Sequence, residues 1–401
     1  MSEFFRPAIN SINTLTFMRK TAIIILIFAL PSVMLLYNYI NVINDSLNTI
    51  SAENAGVEYS QRLNTLLKDM QQHRGIANAY QSGVTSFKDE LASKEAALND
   101  DIEAINTLDN TYGTLLQTTA GWNDIKERWQ QQLAVYMKMP AKEGFDAHTA
   151  IINTIISLTR HIADTSGMNH DAHAASAYLL TAMESLPRAA EFAGQIRGLG
   201  AGGIAAGNLS SQEKVHISSL ASQFRSNMSE AETSLNKAFQ KNQNLAKTME
   251  TSLDGTASSA YIAMDMLVRN VIYTDSIQID PKEYFKKFTT AIDTNFDLHA
   301  MIVKSVQGLL KDRADKLKKK KTQALLGTIA VFLIGIYFAA ASATATVQAL
   351  SGLTEGCRRI TKGDFSTLLP IISEDEAAEA AKSFNELSEK LSAKENTPEK
   401  D

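Results

Sequence analysis

Two uncharged apolar segments, TAIIILIFALPSVMLLYNYINVI at 21–43 and TQALLGTIAVFLIGIYFAAASATATV at 322–347, constrain this chain more than any other feature. Each exceeds the roughly 20 residues that a ~30 Å hydrocarbon core requires, so each predicts a membrane-spanning helix. The first is too long for a cleaved signal segment, and NYINVINDSL after it offers no small-x-small cleavage site. Pro31 predicts a kink that a membrane helix tolerates. In the second segment Gly335, Ala339 and Ala343 are four apart, a small-residue face suited to close helix contact.

Residues 44–321 therefore leave and re-enter the membrane, and their first and last helices must run antiparallel. The segment is poor in Pro, rich in Ala, Leu and Gln, and shows no sustained strand alternation. Helix breaks are expected at Gly83, around Trp122, at Pro140–Gly144, near Gly167, before Pro187, at 207–210, at Asp254–Gly255 and at Asp280–Pro281. DPKE places Asp280 as an N-cap with Pro281 and Glu283 behind it, and NLSSQE reads similarly. The expected fold is all-α: an elongated antiparallel bundle of one or two four-helix modules, stacked end to end if two, anchored by two transmembrane helices.

The formal charge of −5 in 401 residues gives no reason to expect nucleic-acid binding. Cys357 is the only cysteine, which excludes an intramolecular disulfide and cysteine-based zinc sites. No nucleophile elbow or HExxH motif is present, and GLGAGG follows no predicted strand, so neither an enzyme nor a cofactor is expected. His161, His170, Asp171 and His173 cluster, and the last two histidines have metal-ligand spacing if helical. A polar loop flank is the simpler reading, and no metal site is assigned.

Two arginines interrupt the helical pattern. Leu63, Leu67, Met70 and Arg74 share one helix face, as do Leu186, Ala190, Ala193, Arg197, Ala201 and Ile204. A guanidinium on an apolar stripe needs an anionic or polar partner, and neither stripe carries a carboxylate. Each arginine is followed by Gly. One reading is a small anion such as nitrate, nitrite or a carboxylate held by Arg74 and Arg197. The other is an inter-helix ion pair with an acid elsewhere in the chain.

MQQHRGIANAY resembles the helix motif of nitrate- and nitrite-sensing helical domains, with His73-Arg74-Gly75 where the family usually has Glu-Arg-Gly. YLLTAMESLPRAAEFAGQIRGLGAGGIAAGNLSSQE resembles the second half of such periplasmic sensors in bacterial chemoreceptors, histidine kinases and diguanylate cyclases. The resemblance implies a ligand site that includes Arg74, Arg197 and His73. LLKDRADKLKKKK resembles the basic helix these proteins run into their second span. That bears on topology: Arg6, Arg19, Lys20 and Arg358, Arg359, Lys362 put both termini inside, while the lysine run opposes this.

After the second span, Leu350, Leu353, Cys357 and Ile360 form one short stripe, and Ala377, Ala380, Phe384, Leu387 and Leu391 form another. Two such helices bury their seams by pairing with a second copy. The stretch is similar to the HAMP domain, a parallel dimeric four-helix linker, at Gly363, Asp364 and Phe365, at Asp375-Glu376 and at Phe384, Asn385 and Leu387. It lacks the usual Pro in VQALSGL and has Ala377 where a bulky aliphatic is usual.

The expected order is a cytoplasmic N-terminus (1–20), first span (21–43), periplasmic sensor (44–321), second span (322–347), HAMP-like linker (348–393) and disordered polar tail (394–401). The expected protein is a homodimeric, multi-pass receptor of the bacterial inner membrane, in contact with membrane lipid. It senses a small ligand, relays it through the HAMP unit and carries no output module of its own. It would act through full-length chemoreceptors or a sensor kinase. A truncated chemoreceptor or kinase is one alternative, and a non-signalling structural membrane protein is another.

Overall fold

The computed structural model describes residues 2–83, 85–168, 174–205, 207, 209–274 and 277–395. Among them the chain is all-α. The helices are α1 (Ser2–Asn13), α2 (Phe17–Gln81), α3 (Lys88–Leu116), α4 (Thr119–Val135), α5 (Ala141–Thr165), α6 (Ala174–Ala205), α7 (Ser211–Lys241), α8 (Gln243–Leu267), α9 (Pro281–Ile360) and α10 (Glu376–Glu395). A π turn, Val268–Ile272, extends α8. The chain divides into two compact units, Asp45–Leu317 on one side and Met1–Asn44 with Lys318–Asp401 on the other.

In the Asp45–Leu317 unit, α2 and α9 pair antiparallel. Glu53 meets Arg313 at 3.3 Å, Asn64 meets His299 at 3.0 Å and Lys68 meets Asp293 at 3.8 Å, so one chain rises as the other falls. Helices α2–α5 form one four-helix group, tied by Tyr59 to Asp109, Trp122 to Asn106 and His73 to His148. Helices α6–α9 form the other, tied by Ser185 to Glu230, Asn295 to Met228 and the Thr256 hydroxyl to the Thr294 carbonyl. The groups lie side by side rather than end to end: α2 runs along α9, and one apolar core containing Trp122, Trp129, Phe224, Tyr284 and Phe288 extends through both.

Local chemistry explains several helix starts. Ser210 and Glu213 form a complete capping box at α7, and the Asp280 carboxylate accepts from the Lys282 amide at 3.0 Å at α9. Three expected breaks differ. The α3–α4 break falls at Gln117–Thr118, where Thr118 donates to Asp109 at 2.6 Å, and Trp122 is buried inside α4. Asp254–Gly255 lies inside α8, whose flanking Leu253 and Thr256 are both buried. Pro187 lies inside α6. It removes a donor to the carbonyl four residues back, that of Met183, and buried His299 hydrogen-bonds this carbonyl instead. An unanticipated break at Asn242 separates α7 from α8; its side chain caps α8 through the Asn244 amide.

In the other unit, two helices are long and apolar enough to cross a membrane. Their apolar side chains, Ile23 to Val42 and Leu325 to Phe338, face outward. α2 continues through Pro31. Gly327 and Gly335 line one groove together with Phe28 and Leu35 of the first span.

Candidate functional site

Arg74 of α2 and Arg197 of α6 come together inside the bundle, each against the other's helix. A Cβ on Gly194 would lie 3.1 Å from Arg74 Nη2, and one on Gly75 would lie 3.7 Å from Arg197 Nη2. Gly194 therefore lets the Arg74 guanidinium approach more closely than a Cβ would comfortably allow, whereas a Cβ at Gly75 would meet Arg197 in ordinary contact. Both guanidinium groups lie over aromatic rings, Arg74 over Phe145 at 4.6 Å and Arg197 over Phe285 at 4.5 Å.

Their partners differ. Arg74 is 2% exposed and grips Glu191 through two bonds, 2.6 Å to Oε1 and 3.1 Å to Oε2, while also donating to Thr149 at 2.8 Å. Glu191 is 1% exposed and accepts further bonds from Gln71 (2.9 Å) and Gln195 (2.7 Å). Glu191 is thus the acid that the sequence could not place; it lies on α6, one position off the apolar stripe. Arg197 donates one bond, 2.8 Å to Thr289 of α9. Among the described residues no carboxylate oxygen lies within 4.0 Å of its guanidinium. Burial first, and the charge of Arg74 second, push its pKa down to about 10, so it stays cationic at neutral pH. The three groups carry two positive charges and one negative, and the buried Arg197 guanidinium is engaged by a single hydrogen bond.

His73, one residue before Arg74, joins a separate cluster. Its ring stacks on His148 and meets Trp129 and Tyr136 edge-on, with centroids 5.0, 5.0 and 5.4 Å away. His148 Nδ1 donates to the Gly144 carbonyl (2.6 Å), so its Nε2 accepts from His73 Nδ1 (2.9 Å). His73 Nε2 is left bare and buried, 3.7 Å from Glu95, whose carboxylate accepts from Tyr136 at 2.6 Å. Burial pushes His73 down to about 4 and, with His73 and Arg74 beside it, His148 down to about 3. Both rings are neutral at physiological pH. The consecutive contacts His73–His148 and Arg74–Thr149 fasten α2 to α5 directly behind the arginine pair. His161 binds the Gln117 carbonyl at 3.0 Å; His170, Asp171 and His173 lie outside the described residues.

The turn after α9 is built from the residues the sequence singled out. Gly363 has φ +84°, and the Asp364 amide returns to the Arg359 carbonyl at 3.0 Å. The Asp364 carboxylate accepts from the Ser366 amide and hydroxyl and from Thr367, which holds it below the usual carboxylate range. Asn385 of α10 clamps the extended connector, accepting from the Leu369 amide (2.7 Å) and donating to its carbonyl (2.9 Å). Ser388 donates to the Phe365 carbonyl at 2.8 Å. Asp375 caps α10 through the Ala377 amide at 3.0 Å, with Glu376 as the first helical residue. The face of α10 packed within the chain is Ala378, Ala381, Phe384 and Ser388, one position off the expected stripe except at Phe384. Phe384 covers Gly356, while Leu387 is 51% and Leu350 54% exposed.

Comparison with known proteins agrees with this geometry. The family described as nitrate and nitrite sensing matches residues 65–307, and the HAMP domain family matches residues 342–393. No match is found among curated proteins. The solved structure of the NasR transcription antiterminator is similar in fold, with a TM-score of 0.53 and 14% identity over 90% of this chain and 99% of that chain.

Proposed function

Because the chain belongs to the nitrate and nitrite sensing family and carries a HAMP domain between a membrane-capable helix and its C-terminal end, we propose that it is a transmembrane receptor for a small oxyanion. Nitrate or nitrite is the ligand class, and Arg197 is the principal contact. Arg74 is its charged neighbour, and His73 fixes Arg74 through α5. One observation supports this reading most: Arg197 is a buried cation with a single hydrogen bond, beside a second cation whose own carboxylate is already engaged.

The relay follows from chain continuity. Thr289 and Phe285, which hold Arg197, lie on α9, and α9 continues into the second span; Arg74 lies on α2, which continues from the first. An anion that draws Arg197 biases α6 against α9. It shifts the receptor only by its difference in affinity for two arrangements. The HAMP unit then repacks with a second copy, for which Leu350 and Leu387 supply exposed apolar positions. The reading places the protein in a bacterial inner membrane, termini cytoplasmic and sensor periplasmic, as a homodimer that acts on chemoreceptors or a sensor kinase.

Thermal unfolding of the purified full-length protein with and without sodium nitrate tests this. A ligand at 100 times its Kd adds about 2.7 kcal/mol, so the midpoint rises with nitrate and not with equal sodium chloride. Arg197→Ala keeps the ligand-free midpoint near the parent's and abolishes the rise. No rise with nitrate, nitrite or carboxylates, or an unchanged rise in Arg197→Ala, would sink the reading.

A further inference from the structure

The N-terminal helix lies outside both the sensing segment and the HAMP segment, and its sequence is sharply divided. At 100° per residue, Phe4, Ala8, Ile12, Phe5 and Ile9 fall in one continuous arc of about 140°. Glu3, Arg6, Asn10 and Asn13 occupy the opposite side, and Pro7 and Ser11 lie between Glu3 and the Phe4 edge of the arc. The apolar arc is uncovered: Phe4 is 84% exposed, Phe5 50%, Ile9 46% and Ile12 40%. Three residues, 14–16, separate α1 from α2, and the apolar span begins at Thr21. Arg6, Arg19 and Lys20 flank the arc against the single acid Glu3.

We propose that α1 is an interfacial helix seated through Phe4, Phe5, Ala8, Ile9 and Ile12 in the headgroup–acyl boundary of an anionic bilayer, in the leaflet where the first span begins. Continuity with that span places the arc within a few residues of the hydrocarbon edge. A short helix with a large apolar face, a polar opposite face and flanking cations is the pattern that lies in the membrane plane rather than across it. The cations complement phospholipid phosphates. A second copy is the poorer occupant: a 12-residue helix is about 18 Å long and offers far less than the roughly 1,200 Å² that a stable protein interface buries. The helix thereby fixes the depth and rotation of the first span, from which α2 continues towards Arg74.

The test uses full-length protein carrying Cys357→Ser. Single cysteines at positions 3–13 are nitroxide-labelled, and the protein is placed in vesicles of phosphatidylethanolamine and phosphatidylglycerol. Accessibility to oxygen, which partitions into lipid, is compared with accessibility to a water-soluble nickel chelate. The expected result is an oxygen-to-nickel ratio several-fold higher at 4, 5, 8, 9 and 12 than at 3, 6, 10 and 13. Uniform nickel access along the helix would overturn the proposal. So would an apolar arc shielded from both probes, with dipolar broadening marking a second copy as the occupant and its absence marking a protein partner.

Discussion

The Arg74 guanidinium and the Glu191 carboxylate, 117 residues apart in sequence, form a two-bond ion pair in which both side chains are almost completely buried. It joins α2 of one four-helix group to α6 of the other. Breaking a buried pair leaves one charge without a partner. Arg74→Ala is therefore expected to destabilise the protein by about 3–5 kcal/mol. The double variant with Glu191→Ala should cost clearly less than the sum of the singles. Urea unfolding of the four proteins measures the coupling; strict additivity would mean the pair contributes nothing of its own.

Arg197→Lys keeps the charge and removes the planar fork. If the oxyanion is held by paired N–H donors, nitrate affinity falls at least tenfold while the ligand-free protein stays folded, because Lys supplies a point charge without bidentate geometry. Titration calorimetry with nitrate decides this, and parental affinity in Arg197→Lys would show that charge alone suffices.

The buried histidines make stability depend on pH. His73 and His299 are pushed down to about 4 and His148 to about 3, all chiefly by burial. The unfolded chain takes up their protons near pH 6.5, whereas the folded chain resists until these lower values. The stability they contribute is complete above pH 6.5 and is lost as pH falls from there towards 4. Between pH 7 and 5.5 the unfolding free energy should drop with a limiting slope approaching three protons, about 4 kcal/mol per pH unit. Urea midpoints across that window check it. A flat profile would mean that the rings are solvated.

Asn385 holds both backbone groups of Leu369. Asn385→Ala frees them together and should speed amide hydrogen exchange at Leu369 by about tenfold or more, while the buried Phe384 layer keeps α10 in place. Exchange read by mass spectrometry over residues 366–372 tests this; unchanged protection would mean the connector is held by its apolar residues instead.

How much of this was readable in the sequence depended on range. The spans, the helical character and the Gly363–Asp364 turn follow from local patterns, and the stripe periodicity picked out Arg74 and Arg197. Glu191 escaped because its partner is 117 residues away and helix geometry sets it beside the stripe rather than on it. The His73 cluster draws Trp129 and His148 from two other helices, each unremarkable in its own segment. Pro187 reads as a break until His299, more than 100 residues on, is seen to satisfy the Met183 carbonyl. The face of α10 packed within the chain is set by contact with Gly356 and the connector, which no periodicity within one helix encodes, and it lies beside the stripe expected to meet a second copy.

Glu191 is fixed by Arg74, Gln71 and Gln195 together, and so it cannot swing across to Arg197 without abandoning three donors. The charge count of the site is therefore set before any ligand arrives. One negative charge brings Arg74, Arg197 and Glu191 to neutrality. A second would be surplus, buried and close to a carboxylate, at a cost that low polarity magnifies. In the proposed site these three side chains would therefore favour a monoanion over sulfate and hydrogen phosphate, which would otherwise fit the guanidinium fork as well.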